Sequence, residues 1–528
     1  MPGCRQRPVN LRLSAVAVSF CGDTNIKAIA AARSSSAVDD RHMKHATVRQ
    51  LRRAALAALF VLLFVLPTIA GAANVPATGP AGPPAVPHGT IAQRAQSLIG
   101  LTAFTALAWI IGRAMGARAH IRLRTLAWGL LLQFIFGAVV VWNRAFLVLI
   151  NALVDALLGF TAEGAKLVFG DLAAQGGAAV ADANNQVIGY AHSVGYFAFF
   201  VLPTIIFFAC LTAVAYHSGI MQYVVQGLAW IMAKSMGCSG GETLSSAANI
   251  FVGQTEAPLM VKPFLAAATN SELMAIMVGG FANIASGVLG LYTIWLKPFV
   301  PDAAGHLAAA CFITAPGSLL ISKLIVPETD TPVTAAGVQF RVDRIDANLV
   351  DAAARGTSEG LGLALNVAAM LISFTALVYL FNALLGVWFG YNPLAHHFHL
   401  RQLPVITLQD IFGFVFRPLA WLCGISWQES RTVGSLLGIK TVLNELIAYS
   451  QMKDWLANDP AMLSPRARLL ATYALCGFAN FASVGIQVGG ISSLAPTRRA
   501  DLSRIGLLAM VGGAIASLMA AAVVGILV

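Results

Sequence analysis

Residues 280–286 read GFANIAS and residues 477–483 read GFANFAS. One phrase occurs twice, with a single change, in a very apolar chain. Each copy puts an amide and a hydroxyl where lipid would forbid them. Glycine lets a helix unwind or lets another backbone approach closely. Asn and Ser follow at a spacing of three (Asn283 with Ser286, Asn480 with Ser483), so their polar groups share one helix face. An unwound turn also frees carbonyl oxygens and N–H groups that can hold an ion or a polar solute. Small-residue helix packing explains the Gly and Ala. It explains the Asn, and the repetition, poorly.

The 528 residues are 58% hydrophobic and 11% charged, where a soluble domain carries roughly 25% charged residues. Apolar runs predict membrane spans near 96–112, 125–142, 195–216, 271–296, 305–326, 358–388, 464–490 and 503–528. Residues 145–173 are apolar but carry Asp155, Glu163, Lys166 and Asp171, which predicts a helix lying at the interface; residues 221–236 read similarly. Segments 239–268 and 408–449 are broken by Gly, Pro and charges. Interrupted backbone cannot face lipid, so both are expected to be re-entrant hairpins. The fold class is therefore an all-α polytopic membrane protein: about eight transmembrane helices, two re-entrant helical hairpins and interfacial helices.

Ahead of the spans, residues 1–42 are polar and irregular. From Met43, a basic stretch (Lys44, Arg49, Arg52, Arg53), an apolar core from Ala54 to Leu66 and Ala70-Gly71-Ala72 follow signal-peptide grammar over 43–73. That grammar points to Met43 as the start. Residues 74–95 are expected to be a flexible linker, Pro-, Ala- and Gly-rich over 74–90. Arginines cluster at 113–124 (Arg113, Arg118, Arg122, Arg124), 328–357 (Arg341, Arg344, Arg355) and 497–504 (Arg498, Arg499, Arg504). With these spans all three loops fall on one side, the cytoplasmic side by the positive-inside rule, and this explains the net charge of +11 without nucleic acid. Two crossings separate the GFAN copies. If 408–449 enters and leaves by one face, the copies run oppositely, as an inverted repeat whose solute site lies near the midplane.

Each copy follows a broken segment with one carboxylate. NIFVGQTEAPLMVKPF carries Glu256 and GSLLGIKTVLNELIAY carries Glu445. An acidic side chain at the bilayer centre costs about 2.5–3.5 kcal/mol or more and marks a functional site. The plainer reading is a hairpin brace, Glu256 with Lys262 or Glu445 with Lys440. Pro258 and Pro263 break the first segment and remove donors. Gln254, Thr255 and Glu256 at its tip form a row of hydrogen-bonding side chains suited to a hydroxylated or heteroaromatic solute. Phe478 could cover the flat face of a ligand, or be plain core packing. The seven cysteines form no CxxC or Cys/His spacing, and His396, His397 and His399 cluster in a loop. An intramembrane enzyme using Glu256 and Glu445 as acid and base would need a nucleophile or metal cluster. No HExxH or GxSxG occurs in the spans. A channel is the third class, for which hairpins are wasteful.

NIFVGQTEAPLMVKPF, KTVLNELIAY and CGFANFASVGIQVGG resemble the signature segments of the concentrative nucleoside transporters, a likeness covering roughly 195–528 with a looser fit for the first two spans. The resemblance implies a homotrimer in a bacterial-type inner membrane. It imports nucleosides on a cation gradient by an elevator-like movement; it is not an enzyme and has no cofactor beyond a coupling ion. The first two spans, 96–142, come before the scaffold of 143–236 and 301–406. The moving part comprises 237–300 and 407–495, each a hairpin with an unwound helix, and 496–528 is the last span. Gln254, Thr255 and Glu256 would contact the nucleobase, directly or through water, with Val288 packing beside it. Glu445, Asn480 and Ser483 would hold the ribose hydroxyls and Phe478 would pack on the nucleoside. Sodium would be held by the side chains of Asn249 and Asn283 and the carbonyls of Val252 and Ile284. Asn283 departs from the usual Ser or Thr of sodium-coupled members, though it still offers a neutral hard oxygen. Proton coupling is the alternative. Gly253 resembles versions that accept purines as well as pyrimidines.

Overall fold

The computed structural model describes residues 89–116, 122–173, 178–181, 187–191, 197–335, 346–386 and 407–528. The extension 1–42, the signal-like segment 43–73, most of the linker, Arg118, Arg341, Arg344 and the histidines at 396, 397 and 399 lie outside the described residues.

Helix α1 (Ile91–Ala114) starts inside the stretch expected to be linker. A reciprocal cap fixes the start: Thr90 accepts from the Gln93 N–H while Gln93 accepts from the Thr90 N–H. Helix α2 (Leu123–Trp142) follows, then α3 (Arg144–Phe169). Over the stretch expected to lie at the interface, α3 is one continuous apolar helix whose length and composition also suit a crossing. Its Asp155 is neutralised by Lys297 at 2.8 Å. Two short antiparallel strands, β1 (Ala178–Ala181) and β2 (Val187–Ala191), pair Ala178 with Ala191. They are a small departure from an all-helical reading, and Val180, Val187, Ile188 and Tyr190 supply the β-formers.

Helix α4 (Phe197–His217) meets α5 (Ile220–Met236) at a 77° bend. Gly219, at φ 85°, makes that corner. Helix α6 (Gly240–Ala248) runs into an irregular tip at 249–256, and a 3-10 turn (Ala257–Val261) and the single turn α7 (Lys262–Leu265) complete the first hairpin. Helices α8 (Asn270–Ala282) and α9 (Ser286–Leu296) are two halves of a span broken at 283–285, so the first GFAN copy sits on a helix break. Helices α10 (Ala303–Ile325) and α11 (Leu349–Leu385) come next.

The second broken segment differs from its expected bounds. A cap of Thr407 with Asp410 starts α12 (Leu408–Leu422), and Gly424 at φ 96° lies just beyond its end, so 408–422 is a complete helix, packed closely on the one that follows. The hairpin carrying Glu445 is α13 (Ser430–Val442) and α14 (Glu445–Asn458), with Asn444 capping the second arm through the Ile447 N–H at 2.9 Å. Helices α15 (Pro465–Leu475) and α16 (Phe481–Leu494) flank the second GFAN copy, and α17 (Arg499–Leu527) closes the chain. Among the described residues seven helical segments are long and apolar enough to span, eight with the bent pair.

Burial separates an inner group from an outer one. The apolar windows of the α8–α9 span, α10 and α17 are 83%, 83% and 78% buried, while those of α3 and α11 are 22% and 17%. α17 packs on α1, α8, α10, α15 and α16 at the centre; α11 lies along α4 at the outside. A buried polar cluster ties the base of the first hairpin to α10. Lys323 meets Glu242 at 2.5 Å and Glu328 at 3.4 Å, and Ser239 and Thr334 donate to Glu272 at 2.6 and 2.7 Å. Each charge there has a partner, as burial requires.

Candidate functional site

The two duplicated phrases touch. Gly477 has φ 139°, and a β-carbon on it would lie 2.8 Å from the carbonyl oxygens of both Phe281 and Ala282. The two breaks therefore cross backbone to backbone, a contact open only to glycine.

On one side of this crossing stands Glu445, the first residue of α14 and only 5% exposed. One carboxylate oxygen accepts from the Tyr292 hydroxyl at 3.0 Å, the other from Asn480 Nδ2 at 3.1 Å. Asn480 in turn caps α16, its Oδ1 accepting the Ser483 N–H at 2.8 Å. Gln254, at the tip of the first hairpin, donates to Ser483 Oγ at 3.3 Å and accepts from Gln487 Nε2 at 3.1 Å. Side chains from both hairpins and from both broken spans thus form one buried chain: Tyr292, Glu445, Asn480, Ser483, Gln254, Gln487. The Glu445–Lys440 brace is not made. The ammonium of Lys440 donates to Ala474 O at 3.0 Å instead.

The row at 254–256 is divided. Gln254 faces α16 and Thr255 abuts Gly490 there. Glu256 points away: its carboxylate turns back to accept its own tip's Gly253 N–H at 2.7 Å, and it lines a cavity of about 220 Å³. That cavity also takes in Thr212, Ser286, Arg355 and Glu359. Of the row expected at the nucleobase, the described contacts bring Gln254, not Glu256, to Glu445's network. Val288 is buried near the start of α9. Phe478 is half-buried against the core, two residues before Asn480.

The residues expected to hold sodium sit at the ends of α6 and α8 and beside them. Asn249 ends α6 and Asn283 ends α8, and both are buried. Asn249 Nδ2 is bound to Ser245 O at 3.1 Å and Asn283 Nδ2 to Gly279 O at 3.2 Å, so each amide nitrogen folds back on its own helix and leaves the oxygen outermost. Ser286 N–H reaches Phe251 O at 3.4 Å, joining tip to break. The helix ends add partial negative charge. Neutral oxygens at two carbonyl ends fit a hard monovalent cation. The Thr314 hydroxyl also donates to Asn283 Oδ1, and the Cys311 thiol faces Ile284 O at 4.0 Å.

Sequence reasoning missed Tyr292, Gln487 and Thr314. Gln487 had a signal: it stands four and seven positions beyond Ser483 and Asn480, on the same helix face. Tyr292 and Thr314 had none, lying in apolar runs without a polar periodicity.

Broken spans, helical hairpins and a buried polar chain midway between them define a membrane carrier of polar solutes rather than an enzyme or a pore. Three family models match in order: "Na+ dependent nucleoside transporter N-terminus" over 99–172, "Nucleoside recognition" over 198–299 and "Na+ dependent nucleoside transporter C-terminus" over 306–525. The uncharacterized transporter YutK of Bacillus subtilis is 38% identical over 436 residues, 82% of this chain and 98% of that one. Sodium/nucleoside cotransporter 1 of Mus musculus is 38% identical over 456 residues, and the chain spans 64% of its length. The structure of CNTnw in an inward-facing substrate-bound state matches with TM-score 0.71 at 36% identity, over 82% of this chain and 97% of that one. A CNTnw double variant in an outward-facing state matches with TM-score 0.73 at 35% identity, over 83% and 98%. The chain belongs to the sodium-dependent (concentrative) nucleoside transporter family.

Proposed function

We propose that this protein imports nucleosides across a bacterial-type inner membrane, coupled to sodium. The observation that carries the reading is Glu445. Its carboxylate is buried, and each oxygen has taken one neutral donor from a different element. A carboxylate offers about four acceptor directions, so two remain for a vicinal diol such as that of ribose. Asn480 and Ser483 flank that diol. Gln254 presents an amide, the donor–acceptor pair that a nucleobase edge matches, with Thr255 and Val288 beside it and Phe478 against the sugar or ring. Glu256 lies on the approach rather than in the first contact, and reaches the base through water or after the tip moves.

Asn249, Val252, Asn283 and Ile284 bind sodium through oxygen. The ion couples to the solute because the tip that carries Asn249 and Val252 also carries Gln254. Filling the ion site fixes the tip, and a fixed tip presents the base-binding amide. Transport follows by an elevator-like movement of the hairpins and broken spans past α4 and α11. The protomer assembles as a homotrimer. The apolar outer face of α11, with Ile372, Tyr379 and Phe381 exposed, supports contact with lipid or with another copy.

Counterflow in proteoliposomes tests this, with radiolabelled uridine and adenosine and with sodium present or replaced by choline. Saturable exchange stimulated by sodium is expected. Exchange absent under both sodium and proton gradients would overturn the reading, and exchange indifferent to sodium but driven by protons would replace its ion.

A further inference from the structure

A helix leaves its last carbonyl groups without intrahelical donors, and its C-terminal end favours positive charge. Two broken spans place such ends inside this protein. At the end of α8 the capping cation would be the sodium proposed above. At the end of α15 the carbonyls are already taken. Thr472 O accepts from the Tyr449 hydroxyl at 2.7 Å, Tyr473 O from the Cys476 N–H at 3.2 Å and Ala474 O from Lys440 Nζ at 3.0 Å. Lys440 is 2% exposed. Ala474 O is its ammonium's one hydrogen-bond acceptor among the described residues, and no carboxylate there lies within ion-pair distance. Glu445, the acid nearest in sequence, is occupied by Tyr292 and Asn480. A buried, unpaired ammonium aimed at a helix end is costly unless the end itself is its partner.

We propose that Lys440 is a resident cation: it does for the carbonyl end of α15 what the exchangeable ion does for the ends of α6 and α8, holding the second copy of the phrase unwound without drawing an ion from solution. Asn480 stays in place to meet Glu445 because the turn before it is fixed. Lys440 is thus a positioning residue that acts through α15. The comparison with sodium rests on the proposed ion site; the contact with Ala474 does not.

The test uses the full-length protein with Lys440→Met, which keeps length and loses charge, and Lys440→Ala, which also leaves space. Equilibrium binding of radiolabelled uridine and adenosine is measured with and without ethylammonium. Both variants should bind roughly tenfold or more weakly than wild type. Ethylammonium should restore the alanine variant and leave the methionine variant unchanged, because methionine fills the gap. A folded methionine variant that binds as wild type, or a folded alanine variant that ethylammonium does not rescue, would overturn the proposal. Should Lys440→Ala yield no monodisperse protein, ethylammonium present during extraction should recover it; failure to do so is equally adverse. Sodium-stimulated uptake by the wild type is run alongside. Its absence would remove the sodium reading, while amine rescue still decides the role of Lys440.

Discussion

The two copies of the phrase share six of seven residues, yet they break their helices at different points. In the first, Gly280, Phe281 and Ala282 remain helical and Asn283 is the first extended residue, at the carbonyl end of α8. In the second, the helix stops at Leu475, residues 476–480 are unwound, and Asn480 stands at the N–H end of α16. The same asparagine therefore serves opposite poles. At a carbonyl end it adds an oxygen for a cation; at an N–H end it caps the helix and turns its amide nitrogen to Glu445. Gly477 marks the difference. The second copy is unwound four residues earlier, through Gly477 with its positive φ, whereas Gly280 stays in the helix. Near-identical sequence thus yields two opposite helix ends, one for the proposed ion and one for the proposed solute.

The sharpest way to break this division is at the two glutamates. Glu445→Gln should lower nucleoside affinity by roughly a hundredfold, since a buried site built to accept hydroxyls loses charge-assisted bonds. Glu256→Gln, on the separate cavity, should cost about tenfold or less. Equal losses in a binding assay would mean that both carboxylates meet the solute directly.

The glycines come next. An alanine at 477 would meet two backbone carbonyls at 2.8 Å with a strained φ, so Gly477→Ala should destabilise by about 3 kcal/mol or more, or abolish expression. At 280 the nearest atom is Gln487 Nε2 at 2.6 Å, a side-chain end whose shift strains its bonds to Gln254 Oε1 and Met277 O but moves no backbone. Gly280→Ala should therefore cost about 1 kcal/mol of stability. Thermal unfolding in detergent distinguishes them; equal stability losses would show that the crossing of the breaks is not what fixes the fold.

The span count and the broken segments were legible because each violates a rule of apolar helices, whereas Glu445 and Asn480 were brought together only by the family resemblance. A charge or a glycine-rich turn in lipid has few explanations. The split of Gln254 from Glu256 was not legible. It depends on one backbone N–H, that of Gly253, capturing a carboxylate, and neighbouring letters in a row do not reveal which way a tip twists. The partner of Asp155 was hidden for a related reason: Lys297 comes from α9's far end, a tertiary contact outside any local window. Hairpin bounds slipped at 408–449 because an apolar run with Gly and Pro does not say which break is the tip; the cap at Asn444 does.

The asparagines carry a smaller and more selective effect. Asn283→Thr should shift the sodium concentration for half-maximal uptake by about five- to tenfold while leaving nucleoside affinity at saturating sodium within about twofold. Asn480→Ala should do the reverse. It removes the α16 cap and a donor to Glu445, weakening nucleoside affinity by about tenfold with little change in the ion requirement once both are saturating. A full two-ligand titration reads both. If each substitution moved both affinities equally, the ion side and solute side would be one site.

The least effect is expected one shell out from the ion. The Thr314 hydroxyl donates to Asn283 Oδ1 and so competes with a cation for that oxygen. Its single proton can go back to Ala310 O at 2.8 Å instead, so it is satisfied without the asparagine. Thr314→Val keeps the shape and frees the oxygen, but it also releases the asparagine from its orientation. A loss of competition would tighten apparent sodium affinity; a loss of orientation would weaken it. Because Asn283 Nδ2 remains tied to Gly279 O, orientation survives the change, and a tightening of about two- to threefold is expected. Weakening instead would assign Thr314 to holding the ligand in place, and an unchanged value would put Asn283 outside the ion's first contact.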